Sequence, residues 1–282
     1  MNYKNKYLRG LFLISAISSI ILLVCCVSTT ENTISTKRFF AQEQTPQAIV
    51  KIAVDYPVSG SSPSLANIQS QIVSLLDNCD AKKYISAKPK VIISQTAQNK
   101  CYQMTHTGRA EDNTQKYQSE YFESITKLAE TEKFITFAHQ IYTYDGGAHG
   151  LTVAEMLTFQ KSDGKRINKN ILQKESSPEL KSLLAQGLRA YFSSFGEDLA
   201  IFPEFDINNM PLPENQPFLT NEGVGFIYSQ YEIAPYASGQ PAFVVPYRFI
   251  RPYLTEEIAA IIPQNDNISE ITAFSTENPW QK

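Results

Sequence analysis

The sequence predicts an α+β fold, a mixed and mainly antiparallel sheet packed by helices and built as two intimately associated halves. Two alternating apolar runs, 134–144 and 151–159, flank a short glycine-rich connection, which is the signature of an antiparallel hairpin. Other segments repeat apolar residues at spacings of three and four, as amphipathic helices do. No Pro/Gly-rich linker occurs near residue 160, so the roughly 235 residues of folded chain read as two halves sharing a core rather than two separate domains.

Taken in order, residues 26–45 are rich in Ser, Thr, Asn and Gln without a sustained period and read as a tether, with folded structure from Pro46. Val50, Ile52, Val54 and Tyr56 alternate with polar or small residues, giving a half-buried strand that ends at Pro57. Ser62 and Pro63 form a helix start, followed by Leu65, Ile68, Ile72, Leu75 and Leu76 on one face and a stop near Asp77. The segment 79–108 is poorly patterned, with a short strand at 91–94. Tyr117, Tyr121, Ile125 and Leu128 suggest a helix within 113–131. After the hairpin, Ser162-Asp163-Gly164-Lys165 reads as a tight turn.

A helix follows Pro178, with Leu180, Leu183, Leu184, Leu188 and Tyr191 on its buried face and Gly187 as a point of close packing. Four prolines make 203–217 a loop. Strands are expected at 225–228 and 242–247, a short helix at 255–262, and a flexible tail over 265–282. The halves are thus 46–158 and 159–264.

The first 25 residues have the pattern of an export signal. Lys4, Lys6 and Arg9 precede an apolar run from Leu11 to Val24; about 14 residues span roughly 21 Å, too short for a bilayer core of about 30 Å. Leu23-Val24-Cys25-Cys26 resembles a bacterial lipobox, with Cys26 as the acylated residue because it places Leu23 three positions upstream; Cys25 is the alternative. The expected location is therefore the bacterial cell envelope, with the mature protein held to the membrane by its lipid and facing the periplasm or exterior. Removing the signal takes away three basic residues and leaves 22 basic against 28 acidic, a formal net charge of −6. That balance argues against nucleic acid as a partner and suits a basic protein. Cys79 and Cys101 then form an even pair in an oxidising compartment, read as a disulfide, with two buried thiols as the alternative.

Two loops stand out, Tyr144-Asp145-Gly146-Gly147-Ala148-His149-Gly150 and Tyr231-Glu232-Ile233-Ala234-Pro235-Tyr236-Ala237-Ser238-Gly239. The glycines suggest positive φ or close backbone approach. His149 is either a strut within its loop or an outward contact, and Glu232 is a candidate hydrogen-bond acceptor locking the second loop. With Val245-Pro246-Tyr247, these motifs resemble the extracytoplasmic domain of the RsiV family, a bacterial domain-of-unknown-function group also seen as the accessory region of the peptidoglycan deacetylase PdaC. The resemblance implies a tethered envelope protein, with lysozyme binding known for the founding member. Anti-sigma and deacetylase roles do not carry over, because a sigma-binding segment and a deacetylase domain are not recognisable.

Only His106, His139 and His149 occur, and His-Glu-x-x-His, Gly-x-Ser-x-Gly and Walker spacings are missing. No catalytic residue, metal site or cofactor is therefore assigned. The expected function is a non-catalytic binding module for cell-wall glycan (peptidoglycan) or a lysozyme-like protein. Its candidate contacts are Tyr144, Asp145, His149, Tyr231, Glu232 and Tyr236. The alternative is an envelope hydrolase acting on peptidoglycan, using Asp145 with Glu232.

Overall fold

Strand β4 (Phe134–Tyr144) lies inside a five-stranded sheet ordered β1-β2-β3-β4-β5, and its two faces serve two different cores. A computed structural model describes residues 33–60, 64–77, 88–106, 117–167, 171–194, 196, 206, 209–264 and 269–275. The export signal, Cys25 and Cys26 lie outside the described residues, as do Ser62, Pro63 and Cys79. Glu31–Lys282 forms one compact unit.

The sheet comprises β1 (Ile34–Gln44), β2 (Ala48–Gly60), β3 (Ser119–Glu130), β4 and β5 (Leu151–Gln160). All its pairings are antiparallel except β2 with β3, which is parallel. A parallel pair needs a crossover, and α1 (Leu65–Asp77) and α2 (Pro89–His106) lie within it. Ile68, Ile72 and Leu76 of α1 and Ile93, Ala97 and Cys101 of α2 pack on Val50, Ile52, Val54, Ile125, Phe137, Leu157 and Phe159.

The second sheet, ordered β6-β7-β8-β9, contains β6 (Phe218–Leu219), β7 (Gly223–Ile227), β8 (Ala242–Pro246) and β9 (Thr272–Ala273). Alternation splits its residues between two faces. Phe218, Ile227 and Ala242 meet Ala138, Ala154 and Met156 of the first sheet. Val224, Phe226, Phe243 and Val245 meet Leu180, Leu184, Leu188 and Phe192 of α3 (Pro178–Ser194). The order of layers is therefore helices, sheet, sheet, helix. As expected, Gly187 is the point of closest approach: a Cβ there would stand 2.1 Å from the Phe243 ring. Two short helices, α4 (Tyr247–Ile250) and α5 (Glu256–Ala259), close the second core.

Five expectations need correction. Residues 34–44, assigned to the tether, form β1; its polar composition is that of an edge strand, with Arg38 directly opposite Asp55 and bonded to both its carboxylate oxygens at 2.7 and 2.8 Å. The helix expected within 113–131 is strand β3 over its described part, because residues four apart share a face in a strand as well as in a helix. Residues 91–94 belong to α2, where local β-propensity yields to packing on the sheet. The helix expected at 255–262 is reduced to the single turn α5. Within the expected tail, Thr272 and Ala273 pair with Val244 and Phe243, and Phe274 packs near Phe218 at a centroid distance of 5.5 Å.

The entry of the chain into the sheet is fixed by Glu130. One carboxylate oxygen accepts from Ile34 N at 2.6 Å and from Lys161 Nζ at 2.6 Å, and the other pairs with Lys127. Burial alone would push this carboxyl up, but the bonds from Lys127, Lys161 and Ile34 outweigh it and hold it below the usual glutamate value. Lys161 is itself 1 % exposed. Glu130→Gln is expected to cost about 3 kcal/mol at neutral pH by leaving that ammonium without its carboxylate. A lowered pKa makes Glu130's contribution complete above the ordinary value of about 4.3 and lost as pH falls through the lowered one. Urea denaturation across pH should therefore show the variant losing stability less steeply than the parent below about pH 4.3; parallel profiles would contradict the assignment.

Candidate functional site

The hairpin β4–β5 carries the first loop at its tip. Gly146 and Gly147 hold φ of +90° and +103°, a region that side-chain-bearing residues rarely adopt. At Gly146 a Cβ would also strike the Tyr117 ring at 2.2 Å, and at Gly150 the Tyr142 ring at 2.4 Å. The glycines thus let aromatic rings close over the loop. Tyr144 donates to Gly147 O at 3.2 Å, and its ring stands edge-on to Tyr117 with centroids 5.8 Å apart.

The second loop follows β7. Its backbone is organised by Glu232, whose Oε2 accepts from Ser229 N at 2.7 Å and whose Oε1 accepts from Glu214 N at 2.8 Å. Between Ser229 and Glu232, Tyr231 is forced to φ +68°, a costly conformation for an aromatic residue, and the residue is 57 % exposed. Pro235 leads into a 3₁₀ turn at Tyr236–Ser238, ended by Gly239 at φ +67°. Tyr191 of α3 donates to Ser238 O at 2.8 Å and anchors the turn.

The two loops meet. The His149 imidazole stacks on Tyr236 with centroids 3.7 Å apart and planes at 17°, and its Nε2 lies 3.1 Å from the Tyr231 hydroxyl. Its Nδ1 lies 3.1 Å from Gly150 O. The carbonyl can only accept, so Nδ1 carries a proton in this arrangement. In the neutral ring Nε2 is then the acceptor from Tyr231. His149 is both a strut between the loops and part of their surface.

Glutamine side chains complete the junction. Thr152 on edge strand β5 donates its N–H to Gln230 Oε1 at 2.9 Å, and its carbonyl accepts from Gln240 Nε2 at 3.4 Å. These amides satisfy the edge as a neighbouring strand would.

The ring cluster extends beyond the residues singled out by sequence. Tyr142 stacks on Phe122 with centroids 5.5 Å apart, and Lys51 Nζ lies 4.9 Å from the Phe122 centroid. Burial raises the Tyr142 hydroxyl pKa, with nearby Glu120, Tyr236 and Tyr144 adding to the effect. A strip therefore runs from Lys51 and Phe122 through Tyr142 to Tyr236, His149 and Tyr231, with Tyr117 and Tyr144 beside it. Phe122 and Tyr117 were missed because their segment read as a helix; alternation of Glu120, Phe122 and Ser124 with Tyr121, Glu123 and Ile125 was the available signal. Asp145 is exposed at the tip. Glu232 belongs to the loop's scaffold rather than to its outer surface.

Cys101 carries a buried free thiol on α2; Cys79, its expected disulfide partner, lies outside the described residues. Burial raises the Cys101 pKa, with Glu43 adding to this and a hydrogen bond from Thr45 opposing it. Among the described residues, no group of three or more His, Cys, Asp or Glu is placed to hold a metal ion, and no helix is long and apolar enough to cross a membrane.

Replacing Glu232 by Ala should free the Ser229 and Glu214 amides and relax Tyr231. The expected result is faster hydrogen exchange at both amides and a stability loss of about 1–3 kcal/mol; unchanged exchange would show that Glu232 is not the lock.

The family described as a protein of unknown function (DUF3298) matches residues 166–248, a stretch that contains the second loop and not the first. No curated protein matches the chain. Among solved structures, a DUF3298 family member from Bacteroides fragilis is similar at 16 % identity, covering 83 % of this chain and 100 % of its own, with a TM-score of 0.57. A DUF3298 family protein from Pseudomonas aeruginosa is similar at 15 % identity, covering 83 % of this chain and 99 % of its own, also with a TM-score of 0.57. The chain thus carries a DUF3298 match at residues 166–248 on a fold shared with solved DUF3298 proteins.

Proposed function

We propose that this chain is a lipid-anchored binding module of the bacterial cell envelope whose two joined loops recognise cell-wall glycan. The observation that carries the reading is the His149–Tyr236–Tyr231 junction, which holds an exposed ring in a strained backbone conformation beside further aromatic faces. Strain of this kind persists where the surroundings enforce it, and it concentrates at ligand clamps. Tyrosine and histidine rings offer an apolar face for a sugar ring and polar tips for its hydroxyls. The export pattern and the Leu23-Val24-Cys25-Cys26 motif support the envelope and the anchor, and the RsiV-like motifs point the same way.

The alternative, a peptidoglycan hydrolase using Asp145 and Glu232, draws no support from Glu232, because both its oxygens are committed to backbone N–H groups. A lysozyme-like protein is the other candidate ligand, favoured by the acidic mature chain.

Calorimetric titration of soluble peptidoglycan fragments should give saturable binding that weakens about tenfold or more in the Tyr231→Ala, Tyr236→Ala double variant. Capture of lysozyme without any response to fragments would move the ligand to a protein, and silence toward both would remove both ligands. Cys26→Ser should abolish partition into the detergent phase; continued partition would place the lipid on Cys25 or reject acylation.

A further inference from the structure

A second polar cluster lies on the opposite face of the first sheet, under α1 and α2. Glu123 of β3, His139 of β4 and Glu155 of β5 form a diagonal row on that face beside Ile125, Phe137, Leu157 and Phe159: His139 lies between Ile125 and Glu155 in the strand registers, and Glu123 stands one step away, opposite Ile141. His139 stands directly opposite Glu155 in the β4–β5 register and bonds Glu123 through Nε2 at 2.7 Å. Tyr121 donates to the other Glu123 oxygen at 2.9 Å. Glu123 is 1 % exposed. Burying the Glu123–His139 pair costs desolvation that apolar side chains in the same places would avoid, so it is poorly explained by stability alone.

The row opens into a cavity of about 510 Å³, in the size range of small-molecule sites. His139, Glu155, Tyr121 and Ile141 form its sheet side, while Asn99 and Lys100 of α2 overlook it. Lys100 rides on the Tyr121 ring, its Nζ 4.3 Å from the centroid. Neither the Asn99 nor the Lys100 side chain has a hydrogen-bond or ion-pair partner among the described residues. Glu155 is paired with Arg166.

The hydrogen-bond roles define the ligand. A carboxylate can only accept, so with that acceptor on Nε2 the proton of the Glu123–His139 bond sits on the ring and Nδ1 is left for the cavity side. Neutral imidazole presents Nδ1 as an acceptor and imidazolium presents it as a donor; a hydroxyl satisfies both. Lys100 supplies donors only, Glu155 acceptors only, and Asn99 both. Charges of both signs on the wall disfavour a strongly charged guest, and Leu75, Leu76 and Ile141 supply an apolar side.

We infer that this cavity is a binding site for a neutral saccharide unit, held through its hydroxyls by His139, Asn99, Lys100 and Glu155. The inference stands apart from the loop surface, which lies on the other side of the sheet.

The test is calorimetric titration of the full-length chain in detergent micelles with glucose, N-acetylglucosamine, cellobiose and chitobiose. At least one should bind saturably, and Asn99→Ala combined with Lys100→Met should weaken it about tenfold or more. Asn99 is exposed and Lys100 half-buried on α2, and an unchanged far-UV circular dichroism spectrum would confirm that the fold is kept. Tyr231→Ala with Tyr236→Ala should leave this binding intact, which separates it from the loops. The inference is overturned if none of the four sugars binds, if the α2 double variant binds as the parent does, or if glucuronate binds while the neutral sugars do not.

Discussion

The seam between the two sheets is the constraint on which the rest depends. Thr136 of β4 donates its hydroxyl to Leu219 O at 2.7 Å, Thr158 of β5 accepts from Leu219 N at 3.3 Å, and the two hydroxyls lie 3.0 Å apart. All three residues are buried, so these bonds are shielded from competing water. Around them the contact residues Ala138 and Ala154 are small, which lets Phe218 and Ile227 approach. This seam fixes β6 and β7 against the hairpin β4–β5. The loop after β7 is then delivered to the hairpin tip, where the stack of His149 on Tyr236 completes the junction.

The hairpin divides the protein's polar chemistry between two environments. At the tip, rings and polar groups are partly open to solvent and ordered by glycine and glutamine. On the helix-covered face the polar row is held by a buried Glu–His pair. One sheet thus supports an outer, aromatic surface and an inner, hydrogen-bonding cavity. The proposed sugar binding would draw on stacking area at the first and directed hydrogen bonds in the second.

Much of the chain from Phe134 onward was legible because its signals were local and strong. The alternating runs of β4 and β5, the stripe of α3 and the close approach at Gly187 follow directly from side-chain period. The chain before Phe134 was harder. Tyr117, Tyr121 and Ile125 recur every four residues, which is a multiple of the strand period and close to that of a helix, so only the intervening Glu123 and Phe122 distinguish the two. β1 looked like a linker because one edge of a sheet is meant to be polar, and its register with β2 is a long-range fact. The two loops were visible as unusual sequence, but their meeting was not: it follows from the seam between Leu219 and the paired threonines. The Glu123–His139 bond was equally hidden, since it joins residues on different strands with no shared motif.

The central claim is that the loops form one energetically coupled surface. It is tested most directly by a double-mutant cycle in which His149→Ala, Tyr236→Ala and the combination are measured by urea denaturation. A stacked and bridged pair should give a coupling energy of about 0.5–1.5 kcal/mol. Strict additivity of the two substitutions would show that the loops are merely neighbours and would contradict the account.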